Sequence, residues 1–194
     1  MKRILRFFLA AVLGLSLADQ GFADRPRWLR PAQLEFRTGY GYQYTNNSRP
    51  NDFQIIPFLP SAVVPMTEQV GPSWLRGRFE WNPELFLALF VHPYQRLLVG
   101  VTPLQFRYAI HTNSAWTPYG FLGAGILYAN INRRETRSDL NFNLQGGAGV
   151  QYALNSRTSL IVEYRHIHIS NAGLDEDNAG LNTHTFLAGI SLKQ

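Results

Sequence analysis

His168 and Ser170 stand two residues apart near the end of the chain, in His168-Ile169-Ser170-Asn171-Ala172-Gly173. The segment that ends on them, Ser159 to Ser170, alternates in polarity and reads as a β-strand. Side chains two apart on a strand point to the same face. An imidazole and a hydroxyl so placed are neighbours, and the imidazole can take the proton of the hydroxyl as it attacks a carbonyl. Leu160, Val162 and Tyr164 share that face, so the pair would stand on an apolar wall, a setting that suits a lipid substrate. Taken alone, His-x-Ser is a common spacing. Its plain alternative is a strand-end hydroxyl beside an interfacial ring.

The elements that must carry such a pair follow from the rest of the chain. Lys2, Arg3 and Arg6 precede an apolar run from Phe7 to Ala18, and Gly21-Phe22-Ala23 supplies small residues for cleavage. This reads as a signal peptide over residues 1–23, with the mature domain at 24–194. The alternative, a membrane anchor, needs roughly 20 apolar residues, and the run is shorter. The formal charge of +5 overstates the mature protein, because Lys2, Arg3 and Arg6 leave with the leader against a single Asp19. The remaining charges are scattered and form no basic stripe, which argues against nucleic acid as a partner. There is no cysteine, so no disulfide supports the fold.

Period-two alternation recurs along the mature chain, and eight strands result. The first sets Leu34, Phe36, Thr38, Tyr40, Tyr42 and Tyr44 against Glu35, Arg37, Gly39, Gly41 and Gln43. A weaker one covers Phe53 to Leu59, a third runs from Leu75 to Val91, and a fourth from Thr102 to Ile110. The fifth extends from Trp116 to about Ile131, the sixth from Leu140 to Tyr152, the seventh is the strand with the pair, and the eighth covers Asn182 to Leu192. In a soluble sandwich or lipocalin-like barrel the apolar face turns inward. Here the apolar faces are rich in tyrosine and tryptophan, as membrane girdles are, while the opposite faces carry both charge signs with Gln, Asn and Gly. That pattern suits a narrow barrel filled by ion pairs and hydrogen bonds. The expected fold is all-β: an eight-stranded antiparallel transmembrane barrel of the outer membrane, closed so that no backbone edge faces lipid. With both termini periplasmic, the seventh strand ends at the cell surface, beside a loop from Leu174 to Gly180. The turn from about Pro60 to Ser73 is long for the periplasmic side.

The string Glu163-Tyr164-Arg165-His166-Ile167-His168-Ile169-Ser170-Asn171-Ala172-Gly173, followed by Asn178-Ala179-Gly180-Leu181-Asn182, closely resembles the lipid A 3-O-deacylases of the PagL type. The similarity extends upstream through Arg107-Tyr108, Pro118-Tyr119 to Gly125, and Asn141-Phe142 to Gly149. The resemblance implies an outer-membrane barrel acting on lipid A of lipopolysaccharide in the outer leaflet, without a cofactor. It implies Ser170 as nucleophile and His168 as base, with Asn171 and the backbone N–H of Gly173 as candidates to stabilise the oxyanion. The family's third member is an acid, Glu, twelve positions after the serine, and Asn182 stands there in this chain. A carboxylate both orients an imidazole and stabilises its protonated form, whereas an amide does only the first. Asp175, Glu176 and Asp177 in the intervening loop could supply the charge or be a solvated acidic loop.

Two further readings are open at this stage. His166 and His168 share a face and His184 could lie across the hairpin, a set able to hold zinc, but no carboxylate is placed behind them, so no metal is expected. The other is a non-catalytic structural or lipid-binding barrel that has lost the family's acid.

Overall fold

The computed structural model describes residues 31–43, 53–93, 95–129, 138–175 and 180–194. The expected leader, together with Glu176 and Asp177, lies outside the described residues. Within Pro31–Gln194 the chain forms β1 (Gln33–Gln43), β2 (Gln54–Pro65), β3 (Gly77–Trp81), β4 (Glu84–His92), β5 (Arg96–Ile110), β6 (Trp116–Tyr128), β7 (Leu140–Ala153), β8 (Thr158–Ser170) and β9 (Leu181–Lys193). All neighbours are antiparallel, and β1 pairs with both β2 and β9, so the sheet closes on itself. The strands that were expected to cross a bilayer are 11 to 15 residues long, apart from the broken one.

Nine strands replace the expected eight because the third segment is interrupted at Asn82-Pro83. Its halves, β3 and β4, both pair with β2 and β5 and act as one stave of the barrel. Pro83 has no N–H to give to the ladder. The partner strand is irregular at the same level, with a register shift between Val101 and Leu104 around Pro103. Asn82 stabilises the break: its Nδ2 donates to the Ala62 carbonyl at 2.9 Å and its Oδ1 accepts from Gln105 Nε2 at 2.9 Å.

Two strands are longer than the alternation indicated: β2 continues to Pro65, and β5 begins at Arg96, where the lumen is apolar and both faces are therefore hydrophobic. Phe53, Ile55, Leu59, Phe86, Phe90, Leu98, Leu127, Ile167, Ile169 and Leu181 fill that end of the barrel. The longer β2 also shortens the expected Pro60–Ser73 turn to residues 66–76, which the Tyr108 hydroxyl ties down by donating toward the Leu75 carbonyl at 2.7 Å.

The middle of the lumen is polar, as the first, third and seventh segments predicted. Arg37 reaches Glu163 at 2.7 Å and Glu84 at 2.9 Å, Arg107 reaches Glu35 at 2.8 Å and also pairs with Glu80, and Arg165 joins Glu84 to Glu163. Outside, Leu104, Leu122, Leu144, Val162 and Phe186 stand exposed, and Trp116 packs on Tyr152 (ring centroids 4.5 Å apart) at the rim where β1 begins and β9 ends. An interior of paired charges and an apolar exterior invert the arrangement of a soluble domain.

Candidate active site

Strand β8 holds the site. Its β-branched residues Val162, Ile161, Ile167 and Ile169 favour the extended state, and it is hydrogen-bonded on one side to β7 and on the other to β9. Ile167 and Ile169 are fully buried in the apolar plug, so the residues between and beyond them, His166, His168 and Ser170, are turned to the outer wall. The plug thus backs the strand on which the pair stands.

Register then does what spacing along one strand cannot. His168 lies directly opposite Asn182 of β9, and His168 Nδ1 is 2.9 Å from Asn182 Oδ1. An amide oxygen accepts, so Nδ1 carries the hydrogen and Nε2 is the basic nitrogen. The half-buried Ser170 is two residues on along the same face. His168, Ser170 and Asn182 are therefore brought together on the lipid-facing surface at one rim.

After the serine, the chain turns sharply. Ala172 has φ +51° and Gly173 φ +84°, the positive pair a type I′ turn requires, and Leu174 N–H donates to the Asn171 carbonyl at 3.0 Å. Asn171 is fully buried, and its Oδ1 accepts the N–H of Gly173 at 2.9 Å. Both residues expected to stabilise an oxyanion lie in the turn that follows Ser170, and the N–H of Gly173 is taken up by the Asn171 side chain.

Gly180, to which the sequence assigned no role, lies against His168. Its φ is +72°, and a Cβ placed on it would lie 2.9 Å from Cε1 of His168. The glycine lets the start of β9 pass against the edge of the imidazole. The available signal was a glycine two residues before the acid position in the matched string. Gly180→Ala is expected to lower the rate of acyl release by about 10- to 100-fold, since misplacing a catalytic group by about an ångström carries that cost. The heat-modifiable gel mobility of the folded barrel, measured alongside, should be retained.

The remaining polar residues of this wall are engaged elsewhere. His184 Nδ1 is 2.6 Å from the Tyr164 hydroxyl, and the His166 and His184 rings pack with centroids 5.2 Å apart. Among the described residues no three His, Cys, Asp or Glu side chains form a metal-binding group. On the other side of β8, toward β7, β6 and β5, the wall has a groove of about 610 Å³ lined by Leu104, Phe106, Leu122, Leu144 and Gly146, with His168 at its edge.

A closed antiparallel sheet, apolar outside and plugged by ion pairs inside, with a serine and an imidazole on its outer wall, defines an integral β-barrel of the cell outer membrane. The chain belongs to the lipid A 3-O-deacylase (PagL) family, whose sequence profile matches residues 67–191. Among solved structures it is similar to the outer membrane enzyme PagL, with TM-score 0.59 and 18% identity over 81% of this chain and 98% of that one. It is also similar to Neisserial surface protein A, with TM-score 0.56 and 14% identity over 84% of this chain and 96% of the other. At these identities the structural likenesses speak for the fold. The chain matches no curated protein sequence.

Proposed function

We propose that this protein is an outer-membrane esterase that removes the ester-linked acyl chain at the 3-O position of lipid A, with Ser170 as nucleophile, His168 as base and Asn182 orienting the imidazole. The observation that carries the reading is the His168 Nδ1–Asn182 Oδ1 bond of 2.9 Å, which sets the imidazole in the tautomer a base requires, on the same face as Ser170.

In this reading Ser170 Oγ attacks the ester carbonyl while its proton passes to Nε2 of His168. The tetrahedral intermediate collapses, the C–O bond to the sugar breaks, and the imidazolium returns its proton to the departing sugar oxygen. Water, deprotonated by the same imidazole, then attacks the acyl-enzyme, releasing a fatty acid and restoring Ser170. No cofactor enters the balance. Asn171 and the Gly173 N–H are the proposed oxyanion donors; in the resting structure that N–H donates to Asn171 Oδ1, so in this reading it exchanges that partner for the oxyanion as the intermediate forms. Lipopolysaccharide in the outer leaflet is the partner. Of the connections at the rim with the site, 44–53, 129–139 and 171–180 are long and 93–95 is short; at the opposite rim 111–115 and 154–157 are short and 66–76 is long, so most connections at each rim fit the site rim as the outer one. The apolar groove beginning at His168 then points into the leaflet and gives the acyl chain a place to lie.

The test is product analysis by mass spectrometry of lipopolysaccharide incubated with the purified wild-type protein and with Ser170→Ala. Wild type should yield free fatty acid and lipid A lacking the 3-O chain, and the variant neither. Equal release from both would sink the serine mechanism, and loss of a chain from another ester would correct the position.

A further inference from the structure

We propose that Gly146 sets the length of acyl chain that the groove accepts. The inference rests on reading Ser170 and His168 as the ester-cleaving pair, and it deepens that reading by naming what selects the substrate.

The outer wall beside the pair is uneven. Leu104, Leu122 and Leu144 project from it, with more than half of each side chain's surface exposed. Between them the wall is low at Gly146, which lies on the outward face of β7, directly opposite Leu122 on β6 and His166 on β8. Along β8, the level of Gly146 is four residues below Ser170, or ~13 Å at ~3.3 Å per strand residue, which is a depth of ~9–11 Å for a strand tilted by ~35–45°. One leaflet of hydrocarbon is about half of a ~30 Å core, or ~15 Å. A chain that fills the leaflet from an ester held at Ser170 must therefore pass the level of Gly146. A short acyl chain ends before it.

The position is open to side chains as far as the barrel is concerned. Gly146 does not have a positive φ, so an L-residue adopts its conformation. A Cβ there would meet Leu122 Cδ2 at 2.8 Å, the far end of a mobile and exposed side chain, and the Phe121 carbonyl at an ordinary 3.5 Å. Folding does not demand glycine. What the missing side chain provides is the depth of the groove. Leu122, Leu144 and His166 stand around it, and Ala148 and Gly120 continue the low floor one pair further from the site rim, so Gly146 is where a long chain passes between bulky side chains to bed against the wall.

The experiment compares p-nitrophenyl butyrate with p-nitrophenyl palmitate in detergent micelles, using refolded full-length mature protein. For Gly146→Phe the ratio of kcat/KM for palmitate to that for butyrate should fall by about tenfold or more, the scale on which filling an apolar pocket discriminates chain length. Butyrate, whose chain ends above the level of Gly146, is the reference within each variant, and its hydrolysis should fall less than that of palmitate. Leu122→Trp, which narrows the groove from the opposite wall without touching a glycine, should lower the same ratio and keeps the inference testable if Gly146→Phe folds poorly. An unchanged ratio in both variants, or butyrate and palmitate falling in step, would overturn it. Ser170→Ala separates the levels: butyrate hydrolysis that persists in that variant removes the reading of the catalytic pair, whatever the ratios show.

Discussion

Exchanging Asn182 for a carboxylate is expected to accelerate acyl release by ~10² to ~10⁴-fold, the upper figure being the effect of the reverse exchange in a serine protease. The amide already performs half of the task. Its Oδ1 lies 2.9 Å from Nδ1 of His168 on the directly opposed strand, so the ring is oriented and the tautomer set. What it lacks is negative charge to stabilise the imidazolium that forms when Ser170 gives up its proton. Asn182→Asp keeps every heavy atom in place and isolates that charge. Asn182→Glu restores the residue the family resemblance implies, one methylene longer. The lower bound allows for the cost of a carboxylate on a half-buried, lipid-facing strand. Fatty-acid release per folded protein is the measurement. Release confined to the two variants would mean that the natural chain keeps the family's barrel without its activity. Rates equal to wild type would mean that orientation alone is what the third residue supplies.

How much of this was legible beforehand depends on where the lumen is polar. β1, β7 and β8 alternate cleanly because Glu35, Arg37, Asn141, Asn143, Glu163 and Arg165 face a hydrogen-bonded interior, so one parity is polar and the other apolar. β2 and the first half of β5 border the apolar plug, where Ile55 and Leu98 point inward while Ile56, Leu97 and Val99 point outward; with both parities hydrophobic the period vanishes. The same logic governs the site. His168 and Ser170 were readable because they share one strand and one face. The pairing of His168 with Asn182 is a matter of register across a loop whose length does not fix it, and the family resemblance, not the spacing, pointed there. The close approach of Gly180 to the imidazole, and the inward turn of Asn171 that lets it hold Gly173, are tertiary facts with no periodic signature.

Arg165→Met is expected to destabilise the barrel by about 3–5 kcal/mol, the cost of removing one partner from a buried ion network. Arg165 is fully buried and donates to both oxygens of Glu84 at 2.9 and 3.1 Å, to Glu163 at 2.8 and 2.5 Å, and to Gln145 at 2.9 Å, with its guanidinium 4.8 Å from the centre of the Phe121 ring. Met matches its bulk but leaves Glu84 and Glu163 with Arg37 as their remaining cation among these contacts, two buried carboxylates sharing one guanidinium. Removing one of those charges should then recover stability, so Arg165→Met with Glu84→Gln is expected to be more stable than Arg165→Met alone, a non-additivity characteristic of groups in one network. Urea titration of the folded barrel in detergent, followed by tryptophan fluorescence and gel mobility, reads both effects. The same proteins separate stability from catalysis. Arg165 points into the lumen from the strand that displays His166 and His168 outward, so acyl release per folded molecule should change far less than the unfolding midpoint. A midpoint equal to that of wild type would show that the lumen tolerates the unpaired carboxylates, and would shift the weight of barrel stability onto the apolar plug behind Ile167 and Ile169.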